Sequence, residues 1–138
     1  MAFTIGFLLV ALLGAIHHVS LRGLDLLKGA VGRRPNRTIL LTFIGLLTIH
    51  TLEIVLFAAA YAALLTWPAM GDLSAADAET WSGLIYFSGI NFITLGYTQI
   101  DAEGPIRMIN MMQSLGGFMI LTWSATFIYS AWEDAFKS

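Results

Sequence analysis

Three long apolar stretches constrain this chain more than any motif does. They run from about Phe3 to Val19, Thr38 to Trp67 and Ile106 to Trp132. A membrane-spanning helix needs roughly 17–25 residues, so the first lies at the lower limit and the other two are ample. A fourth apolar piece, Trp81 to Leu95, is too short to cross as a helix and reads as re-entrant. Apolar types make up 57% of the 138 residues and charged types only 12%, where soluble domains run nearer a quarter charged. A soluble fold this small cannot hide so much apolar surface, but a bilayer can cover it. In lipid the backbone must satisfy its own hydrogen bonds, which favours helices over open strands. The expected fold class is therefore an all-α membrane protein, with three transmembrane helices and a re-entrant helix. The first stretch lacks a basic start, and no small-x-small cleavage site precedes His17-His18, so it reads as a span rather than a signal peptide.

Charge sets the expected orientation. Five of the seven basic residues, Arg22, Lys28, Arg33, Arg34 and Arg37, fall between Ser20 and Arg37, where Asp25 is the one acid. That loop reads as cytoplasmic, with Gly32 and Pro35 making it a turn. The amino terminus is then outside and the carboxyl terminus, Glu133 to Ser138, inside. The connection with Asp72, Asp77 and Glu79 is outside, and Trp67, Trp81 and Trp132 fit interfacial belts. A net charge of -2 argues against nucleic acid as a partner. There is no cysteine, and the three histidines, His17, His18 and His50, read as too few and too apolar in context for a zinc site.

The re-entrant piece carries the chemistry. A short helix entering from outside directs its carboxyl end, with partial negative charge, toward the membrane centre, where it favours a cation. The chain must then return as extended backbone, tolerated in lipid only where it lines a water-filled path or is buried in protein. Carbonyls of Thr94, Leu95, Gly96, Tyr97 and Thr98 facing a shared axis can replace the water shell of an ion. The Thr94 hydroxyl can join that ring, and Gly96 permits positive φ. Four copies are needed to surround the ion, so a homotetramer is expected. A monovalent cation is expected at Thr94, Leu95 and Gly96, with no other cofactor.

Tyr86-Phe87-Ser88 followed by Thr94-Leu95-Gly96-Tyr97 resembles the pore helix and filter of the pore-loop potassium-channel superfamily. Gln113 and Gly117 fall where that family often has a Glu and a hinge Gly four residues on. The resemblance covers about Trp67 to Trp132. His50 and Glu53 are similar to features of small prokaryotic members with an added amino-terminal span. It implies an amino-terminal span and basic loop over 1–37 and a pore domain over 38–138. Within the latter it implies an outer helix 38–67, a pore helix 81–93, a filter 94–98 and an inner helix 106–132. Tyr86, Phe87, Gln99 and Glu53 become candidates for filter support, and Asn110, Gln113 and Gly117 for the inner-helix cavity and hinge. The chain departs from the family pattern at Thr98, where a glycine is usual, at Gln99, where an aspartate is usual, and at Phe87, often a tryptophan. A β-branched residue avoids the conformations such filter glycines adopt, so an altered outer filter is expected. Potassium is then the expected permeant ion, with sodium as the alternative.

Each of these residues also has a plainer reading. Thr94 to Tyr97 can be a buried turn without conduction. The stripe Asn110, Gln113 or Ser114, Gly117, Leu121 and Ser124 suits either a wet cavity wall or close helix packing. Glu53, with His50 one turn before it, reads as a clamp behind the pore helix or as a proton or ion site. His17-His18 reads as a polar helix end or as a pH sensor. Asp72, Asp77, Glu79, Asp101 and Glu103 form an acidic outer mouth or a solvated rim.

The function expected is a tetrameric cation channel in the cell membrane. The alternative is a non-conducting pore-loop protein serving as a regulatory or assembly subunit. An enzyme is not expected, because no nucleophile–base set, metal cluster or nucleotide loop is present. A coupled transporter lacks its second, repeat-related broken helix. No arginine-rich voltage-sensing span points to a gating stimulus.

Overall fold

The computed structural model describes residues 1–30, 34–75, 78, 80–96 and 99–137. The expectations placed on Gly32, Arg33, Asp77, Glu79, Tyr97, Thr98 and Ser138 lie outside the described residues. Four helices make up most of the chain: α1 (Ala2–Ala30), α2 (Pro35–Leu64), α3 (Trp81–Phe92) and α4 (Ile106–Lys137). Strands β1 (Asp72–Leu73) and β2 (Ala102–Glu103) pair antiparallel, Asp72 opposite Glu103 and Leu73 opposite Ala102. The fold is all-α apart from this two-residue ladder, which the sequence does not announce. Two helices, α1 over Ala2–Gly29 and α2, are long and apolar enough to cross a membrane.

Helix α1 runs well past the expected end at Val19, so Arg22, Asp25 and Lys28 are helical and not loop residues. The cause is a stripe at spacings of three and four: Leu13, His17, Leu21 and Leu24, all buried. Lys28, its side chain largely covered, pairs with Asp25 at 2.8 Å and lies 4.5 Å over the Phe127 ring of α4, which supports the last turns. Helix α2 opens on Pro35, whose missing N–H is harmless in the first turn. It stops at Leu64, short of the expected Trp67. Pro68 biases the residue before it toward extended backbone, and Trp67 has φ -99° and ψ 110°.

The packing registers give the directions of the helices. Gly6 packs on Met112, Gly116 on Val10, and His17 meets Ser124, so α1 and α4 run parallel. Leu24 packs on Gly45 and His17 bonds Glu53, so α2 runs opposite to α1. Helix α3 lies between α2 and α4. Its Ser88 meets Gln113 and its Phe92 packs on Gly117, so α3 runs parallel to α4 and ends beside the middle of it. From there the chain must climb back to β2, which is tied to β1 near the starting level of α4. Ser74 and Asp101 reinforce that tie with bonds of 2.9 and 3.2 Å.

Candidate functional site

The site is the end of α3 and the turn that follows. Thr80 caps the helix, its hydroxyl accepting from the Gly83 N–H at 3.1 Å. At the other end Leu95 N–H donates to Ile90 O (3.2 Å) and Thr94 N–H to Asn91 O (3.1 Å). These two bonds are the Schellman pattern, which normally places glycine in the left-handed region. Here that position is Thr94, with φ +59°. A β-branched residue in this region stores about 1–3 kcal/mol of strain, and such strain persists only where the surroundings enforce it. Gly96, two residues on, has φ +63°.

The back of α3 is held by a buried polar chain. Tyr61 of α2 donates to Gln113 Oε1 at 2.8 Å, and Gln113 Nε2 donates to Ser88 O (3.1 Å) and Ser88 Oγ (2.8 Å). The Ser88 hydroxyl donates to Ile54 O at 2.8 Å. Three helices are thus tied by hydrogen bonds among residues shielded from water, where an unmade bond is costly. Phe87 is buried edge-on against Tyr61, ring centroids 5.2 Å apart, and Asn91 Nδ2 donates to Phe87 O at 2.8 Å. Gly117 is buried against the last turn of α3, and a Cβ there would collide with the Phe92 carbonyl oxygen.

The front of the site is bare. Ile93, Thr94, Leu95 and Gly96 are exposed, Leu95 to 64%. Tyr86 and Gln99, expected to support the filter, are exposed on the same chain, whereas Phe87 is buried. Beside the turn an open cleft of about 530 Å³ is lined by Asn91, Gly96, Asp101, Arg107, Asn110 and Ser114 among others. Asn110 Oδ1 is buried and finds no hydrogen-bond partner among the described residues.

The stripe on α4 therefore divides. Asn110 and Ser114 line the cleft, while Gln113, Gly117 and Ser124 face neighbouring helices of the same chain. Gln113 braces α3 and does not line a cavity wall within the chain. Gly117 allows close packing against α3.

Glu53 is almost fully buried. Its Oε1 accepts from His17 Nδ1 at 2.8 Å and its Oε2 from His50 Nδ1 at 2.9 Å. His17 is wholly buried, so it is not the polar end of a span. Its Nε2 lies 3.2 Å from Ser124 Oγ. The His50 ring lies 5.7 Å from the ring of Phe92, so Glu53 reaches the end of α3 through His50. Where the sequence reads as offering too few histidines in too apolar a context, the fold brings donor atoms of His17, His50 and Glu53 within 4.8 Å of one another. The buried stripe Leu13, His17, Leu21, Leu24 was the available signal for His17. Tyr61 was similarly marked by its place in the stripe Leu46, Glu53, Phe57, Tyr61, Leu64.

The model of the family described as "Ion channel" matches residues 49–133, a span that includes Glu53, Tyr61, α3, the exposed turn and most of α4. No curated protein and no solved structure matches the chain.

Proposed function

The chain belongs to the ion channel family, and on that premise we propose that it is one subunit of a homotetrameric pore-loop channel for monovalent cations. The observation that carries this reading is the contrast around α3, braced by three partners behind and bare in front. Helix α3 runs parallel to α4, stops beside its middle and is followed by a returning segment. In a bilayer that course is a helix dipping in from one side, its negative end aimed inward. Exposed Thr94, Leu95 and Gly96 would face the same residues of three neighbours and present carbonyls to an ion on the shared axis. Tyr86 and Asn110 would then meet a neighbouring subunit, where Asn110 Oδ1 could find its donor.

Helix α4 serves as the third span. Its 32 residues reach about 48 Å, more than the roughly 30 Å hydrocarbon layer. Its Gln113 and Ser124 face the bundle, and its exposed Thr122 and Thr126 hydroxyls bond back to carbonyls of the same helix. Helix α1 is the added amino-terminal span, starting outside the cell membrane. The basic residues Arg22, Lys28, Arg34 and Arg37 lie at the facing ends of α1 and α2 and mark the cytoplasmic side. Potassium is the favoured ion, with weak preference over sodium, because Thr98 and Gln99 replace the residues that complete the outer filter in the potassium-channel family.

Density for the full chain in lipid nanodiscs tests this reading. Four copies with Thr94, Leu95 and Gly96 converging on one axis are expected. A dimer whose two turns lie apart would overturn it.

A further inference from the structure

A carboxylate inside an apolar bundle demands a compensating positive charge. Among the described residues no Lys or Arg pairs with Glu53; its ion-pair partners are His17 and His50. We propose that His17, His50 and Glu53 form a binding site for a first-row divalent metal ion of the zinc class. Two imidazole nitrogens and one carboxylate make a three-ligand set that zinc accepts, leaving a fourth position open.

The geometry asks for little change. The donor atoms lie within 4.8 Å of one another, and two ligands of a tetrahedral zinc stand about 3.3 Å apart, given the usual Zn–N and Zn–O lengths. The rings are stacked, centroids 5.6 Å apart and 10° from parallel, so both must tilt toward the ion while their helices stay in place. On binding, each neutral ring carries its proton on Nε2 and gives the Nδ1 lone pair to the metal. His17 Nε2–H then donates to Ser124 Oγ, 3.2 Å away. A fixed partner on the far nitrogen is what orients metal-binding histidines generally. His50 is partly exposed, which gives the ion a way in and leaves room for a water in the fourth position.

A simple charge clamp on Glu53 needs only one imidazole. The second comes from a different helix, is completely buried, and has its far nitrogen held by α4. The ion would pin α1 to α2 beside Phe92, the last residue of α3. This inference rests on the geometry within one chain and stands whether or not the pore conducts.

The test uses the full chain in detergent micelles, stripped with a chelator and titrated with Zn²⁺ or Co²⁺. Expected are one Zn²⁺ bound per chain by equilibrium dialysis and an intense visible Co²⁺ spectrum of low coordination number. His50→Gln, at a partly exposed position, should abolish the Co²⁺ bands. Ser124→Ala should weaken Zn²⁺ binding by about 10-fold. His18→Gln, which changes the neighbouring ring outside the cluster, should leave binding as in the wild type. Absence of stoichiometric binding, a weak octahedral Co²⁺ spectrum, or full binding by His50→Gln would overturn the site. Because the readout is bound metal, its failure is separate from any failure of ion flux.

Discussion

The two sides of α3 are built differently. Behind it, Tyr61, Gln113, Ser88 and the Ile54 carbonyl complete one another's hydrogen bonds inside a single chain. In front, Thr94, Leu95 and Gly96 are exposed, and Thr94 holds a left-handed conformation that its side chain disfavours. The back is a finished piece of protein core. The front is an exposed, strained turn, and the proposed assembly would bring copies together around it. Changes behind α3 should therefore act on stability, and changes in front should act on conduction.

The largest effect is expected from Gly117→Val. The new side chain meets the Phe92 carbonyl, and backbone cannot yield as a side-chain tip can. Overpacking of this kind costs about 3 kcal/mol. Size-exclusion chromatography with thermal unfolding in detergent should show loss of the folded oligomer, and flux should vanish with it. Gln113→Leu comes next. It strands the Tyr61 hydroxyl and removes the donor to Ser88, which together cost about 2 kcal/mol. A Gln113→Leu, Ser88→Ala pair should cost less than the sum of the singles, because both belong to one network. Strict additivity in thermal unfolding would break the brace into unrelated contacts.

Thr94→Gly separates the two faces. It relieves the left-handed strain and should raise stability by about 1 kcal/mol. It also removes the hydroxyl proposed to bind the ion, so flux or selectivity should fall while the protein becomes harder to unfold. A variant less stable than the wild type would contradict the strain. The smallest effect is expected from Thr98→Gly with Gln99→Asp, a several-fold gain in potassium preference over sodium without change in assembly. Equal permeability ratios before and after would remove the outer filter from the account.

The sequence made some of this legible and hid the rest for physical reasons. The apolar runs marked four helices, because lipid-facing and buried positions are both apolar and the whole segment stands out. They misplaced the end of α1. His17-His18 looked like a polar boundary, but the buried face continues through Leu21 and Leu24, while the exposed positions mix Arg22 and Asp25 with Val19, Leu26 and Leu27. The turn after α3 was visible because Thr94 to Gly96 sit between a short helix and a return. His50, one turn before Glu53, was visible as its partner; the partner of Gln113 and the second partner of Glu53 were not. Tyr61 and His17 lie far away in sequence and reach them through packing of three helices, which one chain's periodicity cannot register. The β1–β2 ladder is too short to leave a pattern.

Flux through liposomes containing the purified chain tests the central claim most directly. The wild type should pass potassium and, less readily, sodium, well above protein-free vesicles, and Gly117→Val should pass neither. A wild-type protein that is tetrameric and folded yet no leakier than empty vesicles would contradict conduction, leaving a pore-loop subunit that assembles without carrying ions.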